Sequence, residues 1–310
     1  MTATASSDAS MVVRIGIVTM NRPEDLRKCL ASCVSQTYKP KEIVVCDNST
    51  DVQARRMNVE VAAEFPDVRI DGGEAGRSLI EARAAMMAEP GYDLFCCVDD
   101  DAWFSGCDEI ARAVGEFIKT SALAGIAFDI LSPDRPEPVE RQPGRPAMSF
   151  VGCGHMLRRE MVLAAGNYAD LPGPYGSEER DLCLRFLDRG WEVRFLPGVH
   201  VWHDKSSVGR DWGRQHRSGT LNDLMFGFLR APMPDVLYYL PGKAFNLVRW
   251  GWKGRKEERW AGLLGVVDFV RCLPRYIQKR SPVSCRTFRA FFESGRRSAE
   301  KPRDWEGNER

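Results

Sequence analysis

The sequence lacks several features that would settle its class at once. Its 10 cysteines include no Cys-x-x-Cys pair, so neither a zinc knuckle nor a thioredoxin-like redox pair is encoded. Cys29, Cys33, Cys96 and Cys97 lie inside apolar, periodic segments and read as buried thiols of a reducing cytoplasm. No uninterrupted apolar run approaches the ~18–20 residues that cross a bilayer. Residues 1–10 are rich in Ser, Thr and Ala without a basic start or an apolar core. They read as a disordered lead-in rather than a signal peptide. There is no internal repeat and no Walker-type phosphate loop. The turn after the first strand, Thr19-Met20-Asn21-Arg22-Pro23, has no glycine, which excludes a dinucleotide-binding fingerprint there.

What is present is an ordinary apolar and charged fraction over 310 residues, enough for a large core. The net charge of +1 conceals an asymmetry. Positions 230–310 hold 18 Lys/Arg against 9 Asp/Glu, a net +9, leaving −8 on the preceding residues. An acidic body thus carries a basic tail, which points to an anionic partner or surface.

Along the body, strands and helices alternate. Val12–Thr19 reads as a strand, and a helix with Pro23 near its start presents Leu26, Cys29, Leu30 and Cys33 on one face. Strands at Glu42–Cys46, Val68–Ile70 and Leu94–Val98 alternate with helices at Val52–Glu64 and Ser78–Ala88. A helix over Ser105–Thr120 and a strand at Gly125–Leu131 follow. Pro133–Pro146, with five prolines, is a loop. Met148–Leu157 is an apolar run interrupted by Gly152 and Gly154, Glu178–Arg189 is a helix closed by Gly190, and Val193–Leu196 and Val199–Trp202 are short strand pieces. This order predicts an α/β fold with a doubly wound sheet. Beyond about Asp211 the chain turns helical, Trp-rich and basic.

Three clusters carry chemistry. Leu94-Phe95-Cys96-Cys97-Val98 ends in Asp99, Asp100 and Asp101, and ligands gather at the carboxyl ends of strands in such sheets. On extended chain Asp99 and Asp101 point the same way, with Cα atoms roughly 6.5–7 Å apart. Two convergent carboxylates suit a hard divalent cation. The alternative is a solvated acidic turn, which three adjacent like charges disfavour. The second cluster is Glu178, Glu179 and Asp181, in the first turn of a helix. There the helix dipole favours acids for purely structural reasons, yet a positioned carboxylate could serve as a general base. The third is His200 and His203, two of only four histidines. An imidazole ligand tilts a metal site towards Mn²⁺ over Mg²⁺.

In order, the strand-Thr-x-Asn-Arg start, Cys46-Asp47-Asn48-Ser49-Thr50-Asp51, Gly76 with Ala82-Arg83, and Asp99-Asp100-Asp101 form one ordered set. Gly154…Arg158-Arg159-Glu160, Glu178-Glu179-x-Asp181-Leu182-Cys183-x-Arg185 and Val201-Trp202-His203 continue it. From Val12 to His203 this set resembles family 2 glycosyltransferases of the GT-A fold, a Rossmann-like doubly wound mixed sheet. The triple aspartate and the Trp-His ending look like bacterial cell-wall galactofuranosyl- and rhamnosyltransferases.

The resemblance implies a metal-dependent, inverting transfer of a sugar from a nucleoside-diphosphate sugar to an acceptor hydroxyl. It places Asp47 on the nucleobase, Thr19 and Arg22 beside the nucleotide, and Arg83 near the diphosphate or base. Asp99 and Asp101 become metal ligands with His203 as the third, and Asp100 faces the sugar-nucleotide. Glu179 takes the base position, one methylene longer than the usual Asp, with Asp181 and Glu178 as reserves. The implied cofactors are Mn²⁺ or Mg²⁺ and a UDP-sugar, with a dTDP-sugar second. The acceptor is a glycan, a lipid-linked sugar or a small molecule. A nucleotidyltransferase is the rival enzyme, but it normally shows a glycine-rich, basic loop after the first strand. A non-catalytic sugar-nucleotide-binding protein is disfavoured by the intact acids.

The expected organisation is a disordered 1–10, a catalytic domain over 11–210 and a helical, basic region over 211–310. In the latter Trp260, Leu263, Leu264, Val267 and Val270 share one helical face. Such a face either packs on the catalytic domain or, among the surrounding cations, lies on anionic lipid. The expected location is cytoplasmic, peripheral on the inner face of a membrane. No nucleic-acid module is recognised.

Overall fold

Residues 10–73, 75–138, 146–205, 211–254 and 256–299 are described by a computed structural model. The lead-in expected over 1–10 therefore lies almost wholly outside the described residues, as does half of the proline-rich loop.

β1 (Val13–Thr19) is buried along its whole length, as a central strand covered on both faces must be. It pairs in parallel with β2 (Lys41–Asp47) and β4 (Leu94–Asp99), and β2 pairs in parallel with β3 (Val68–Gly72). The crossovers are α1 (Pro23–Val34), α2 (Val52–Ala63) and α3 (Leu79–Ala88), each with a local start signal. Pro23 opens α1, the Asp51 side chain accepts from Ala54 N to cap α2, and Ser78 and Glu81 form a capping box on α3. Alternation along β1 sends Ile15 and Ile17 to one core with Leu26 and Leu30. Val18 goes to the other, with Val44, Phe95, Leu182 and Phe186.

The second half closes the sheet. β5 (Ala102–Phe104), β6 (Leu123–Leu131), β7 (Gly154–Arg158) and β8 (Glu192–His203) complete the order β3-β2-β1-β4-β7-β6-β8-β5. β7 runs antiparallel to both β4 and β6, β8 is parallel to β6, and β5 is antiparallel to β8. The sheet is thus mixed. α4 (Glu109–Lys119), α5 (Arg159–Ala164) and α6 (Glu178–Asp188) flank it, and Gly190, at φ +74, ends the α6 turn.

Three sequence expectations change here. The helix expected from Ser105 starts at Glu109, because residues 102–104 are drawn into β5 and Ser105 N donates to His200 O. The two strand pieces at 193–196 and 199–202 are one strand, β8, with an irregular register between Ala127 and Asp129 of its partner. The 148–157 run yields a strand only from Gly154, followed directly by α5.

The C-terminal region is helical as expected: α7 (Trp212–Arg230), α8 (Asp235–Lys253), α9 (Ala261–Tyr276) and α10 (Cys285–Ala299). α7 and α9 approach closely, since a Cβ on Gly265 would lie 2.7 Å from Arg217 O. The five residues from Trp260 to Val270 do share one face of α9, and that face is exposed; the packed face is Ala261, Gly262, Gly265 and Phe269.

Candidate active site

The site lies at the carboxyl ends of β1, β2 and β4, closed by α6 and by the end of β8. The first turn needs no glycine because Asn21 takes the left-handed conformation, φ 59, which Asn tolerates well. Its Oδ1 accepts from Thr50 N and Asp51 N, joining the turns after β1 and β2. Asp47, at the end of β2, is buried; its Oδ1 accepts from Ser49 N at 2.9 Å, and its Oδ2 has no hydrogen-bond partner. A buried acceptor left open in this way suits an N–H of a ligand.

The aspartate triplet is not extended. β4 stops at Asp99 and the chain turns over Asp100 and Asp101, which corrects the alternation expected along this stretch. Asp100 faces inward: Thr19 Oγ1 donates to it at 2.9 Å and Arg22 Nη1 at 3.0 Å. Burial pushes its carboxyl up to about 7, against the pull of Arg22. The place expected of Asp100, facing the donor sugar, is therefore occupied by protein contacts. Arg22 also reaches Asp101 at 3.3 Å, so Thr19 and Arg22 hold the acidic turn.

His203 arrives beside the triplet through strand pairing, since Ala102 lies opposite His203 in the β5–β8 register. Its Nε2 is 3.2 Å from Asp101 Oδ1. Ligand atoms of Asp99, Cys153 and His203 all lie within 4.8 Å of one another. His203 thus touches Asp101 and lies within reach of Asp99, so two of the three expected ligands, Asp99 and His203, converge directly, and a carboxylate with an imidazole suits Mn²⁺ better than Mg²⁺. Cys153 was not foreseen, and only its place between Gly152 and Gly154 hinted at close packing. Burial, with Asp99 and Asp101 beside it, pushes its thiol well up, and a protonated thiol is a poor donor to a hard ion.

Arg83 links this cluster to α6. It is 1% exposed, and its Nη2 donates to Asp99 Oδ1 at 2.7 Å. Its Nη1 lies 3.5 Å from Glu178 Oε1 and 3.7 Å from Glu179 Oε1. Burial alone would lower the guanidinium's pKa, but the groups around it, Cys97, Asp99 and Glu179 among them, raise it. Glu179 keeps 16% of its side chain exposed. Burial and the neighbouring Glu178 push its carboxyl well above the usual range, against Arg83. Glu178 is buried, accepts from Gly176 N at 2.6 Å and is also pushed up, first by burial.

Asp181 does not join them. It is fully buried, accepting from Arg185 Nε at 2.7 Å and Arg230 Nε at 2.6 Å. With both oxygens taken by guanidiniums it ties α6 to α7, which removes it as a reserve base.

The turn before α6 is under tension. Ser177 adopts φ 69, a conformation costing a non-glycine residue about 1–2 kcal/mol. α7 holds it there: Asn222 bonds Gly173 at both N and O, and Asp223 accepts from Ser177 Oγ and Arg180 Nη1. The C-terminal helices therefore help to position Glu178 and Glu179, a contribution that no local pattern in the tail announced.

Residues 14–162 match the description "Glycosyl transferase family 2". The chain carries a family 2 glycosyltransferase domain. Solved structures give this glycosyltransferase the GT-A fold. A mannosyltransferase of Pyrobaculum calidifontis, PcManGT, solved with GDP-Man and Mn²⁺, has a TM-score of 0.56 at 12% identity, covering 96% of this chain and 85% of that one. TarS 1-349 of S. aureus, solved with UDP-GlcNAc, has 0.60 at 14% identity, with 93% and 92% covered. GalNAc-T7, solved with UDP, GalNAc and Mn²⁺, has 0.61 at 14% identity; 89% of this chain covers 59% of that protein. No curated protein matches the sequence.

Proposed function

We propose that this enzyme transfers a sugar from a nucleoside-diphosphate sugar to an acceptor hydroxyl with inversion at the anomeric carbon. Its place is in building a cell-wall polysaccharide or another glycoconjugate. The observation that carries the reading is Arg83, which sits between Asp99 at 2.7 Å and the Glu178–Glu179 pair at 3.5 and 3.7 Å. One buried guanidinium thereby sets a partly exposed carboxylate against a carboxylate–imidazole cluster.

A divalent cation, held by Asp99, Asp101 and His203, would supply Lewis-acid stabilisation of the charge on the departing diphosphate. The chain's own groups do the rest. Glu179, whose raised pKa brings it nearer neutrality, takes the proton of the acceptor hydroxyl. Arg83 keeps that carboxylate at a fixed distance from the acidic turn, and Asp47 offers its open oxygen to a base N–H. Thr19 and Arg22 hold Asp100 and Asp101 in the turn on which the donor rests.

UDP-sugars are the first donors to test and dTDP-sugars the second; similar structures were solved with UDP-GlcNAc, UDP and GDP-Man. The acceptor is a glycan or a lipid-linked sugar reached at the cytoplasmic face of a membrane. A donor panel read by nucleotide release, with Mn²⁺ and with EDTA, tests this. Release from one donor that EDTA abolishes is expected, with an inverted product anomer by NMR. Release unaffected by EDTA would remove the metal, and a retained anomer would remove the single displacement.

A further inference from the structure

The C-terminal helices turn an unusual surface to solvent. On α8 the outward positions recur about every four residues and include Leu237, Tyr238, Phe245, Trp250 and Trp252. On α9 they are Trp260, Leu263, Leu264, Val267 and Val270. Tyr238 is 77% exposed, Phe245 66% and Val270 58%. The two stripes are continuous. At one end of the helix pair Trp252 and Trp260 meet edge to face at 5.2 Å. At the other, a groove of about 430 Å³ lies between the helices, lined by Leu237, Leu240, Pro241, Phe269 and Leu273. A contiguous apolar surface of this kind marks an interaction site.

Its charge decides what it meets. Arg249, Lys253, Lys256, Arg259, Arg271 and Arg275 are all exposed around the stripes. Among the described residues no acid is exposed on α8 or α9: Asp235 is held by Arg289 and Asp268 by Arg217. A second copy of this face would bring two cationic rims together, which is unfavourable. Apolar side chains bordered by tryptophan and rimmed by cations match the boundary of an anionic bilayer, where ring, stem and charge each find their own depth. Among the described residues no helix is long and apolar enough to cross a membrane, so the surface lies on the bilayer.

We infer that α8 and α9 seat this chain on an anionic lipid bilayer, apolar stripes at the headgroup boundary and cations against lipid phosphates. The inner side of the same layer reaches the site. Lys243 of α8 pairs with Asp223 at 2.8 Å, and Asp223 holds Ser177 and Arg180 at the start of α6. Seating thus fixes the catalytic turn relative to the lipid surface. This extends the proposed membrane-borne acceptor and rests on that reading for its purpose alone, because seating is measured without any sugar.

The test is co-sedimentation of the full chain with vesicles of phosphatidylcholine, alone or mixed with phosphatidylglycerol. Binding to the mixed vesicles is expected to be at least about tenfold stronger and to be reversed by about 0.5 M salt. Leu264→Glu/Val267→Glu, placed on exposed positions, is expected to weaken vesicle binding by about tenfold or more. Circular dichroism and nucleotide release should be unchanged in that variant. Arg259→Glu/Arg275→Glu is expected to remove the preference for anionic vesicles. Equal pelleting with both vesicle types would overturn the inference. So would the absence of vesicle binding together with a dimer that Leu264→Glu/Val267→Glu dissolves, or with nucleic-acid binding. Vesicle binding in a chain that releases no nucleotide from any donor would remove the enzymatic reading and leave this one standing.

Discussion

The guanidinium of Arg83 donates to Asp99 across 2.7 Å inside the protein, joining α3 to the end of β4. Its other terminal nitrogen faces Glu178 and Glu179. Replacing Arg83 by Met leaves buried carboxylates uncompensated, which costs about 3–5 kcal/mol. The expected outcome is a lower urea midpoint and a fall in kcat/KM of at least about 100-fold. Arg83→Lys is expected to recover stability in part but not turnover, since an ammonium cannot span both partners as the planar fork does.

Gly152 makes room for this bridge. A Cβ there would lie 2.8 Å from both terminal nitrogens of Arg83 and 2.9 Å from Glu179 Oε1. Gly152→Ala is expected to fold, yet to lose about 10–100-fold in kcat by displacing those two groups. Unchanged kinetics with an unchanged thermal midpoint would show that the site tolerates the shift.

Glu179 and Asp181, two residues apart, should separate cleanly. Glu179→Gln is expected to lower kcat by about 100-fold or more with little change in stability. Asp181→Asn is expected to lose stability, because Arg185 and Arg230 converge on it, at about 3–5 kcal/mol. Near-wild-type turnover in Glu179→Gln would move the base to Glu178. Since burial raises Glu179, the acid limb of kcat should fall above the ordinary carboxylate range.

His155 should make the fold acid-sensitive. Its Nδ1–H donates to Val151 O at 3.0 Å, and its Nε2 accepts from Tyr168 O–H at 3.1 Å. Burial, with Arg83 nearby, lowers its pKa to about 3. An unfolded histidine binds its proton near pH ~6.5, whereas the folded one resists until about 3. This contribution to stability is full above the unfolded value and is lost as pH falls between the two, by about 1.4 kcal/mol per unit. Urea midpoints at successive pH values should show that slope, and His155→Gln should flatten it.

The residues that could be read from the chain are those whose signal is local. The apolar runs of β1, β2 and β4 and the caps at Asp51 and Ser78 each fix their own geometry within a few residues, and the acids opening α6 mark where that helix begins. Their order was enough to give the α/β class, the family resemblance and a site at the strand ends. The periodicity of α9 likewise gathered Trp260, Leu263, Leu264, Val267 and Val270 on one face, though not the side on which that face would lie.

What only the tertiary structure decided was which distant group answers each buried charge. His203 stands beside Asp101 because three residues of β5 pair with β8, a contact between segments a hundred positions apart. The aspartates bend through a turn because Thr19 and Arg22 draw Asp100 inward. Asp181 leaves the site because Arg230, from the tail, neutralises it, while Glu179 stays open to solvent on the same turn of helix. A carboxylate in a sequence carries the same charge wherever it falls. The cost of burying that charge without a partner is what sorts these acids into support and chemistry, and packing alone supplies the partner.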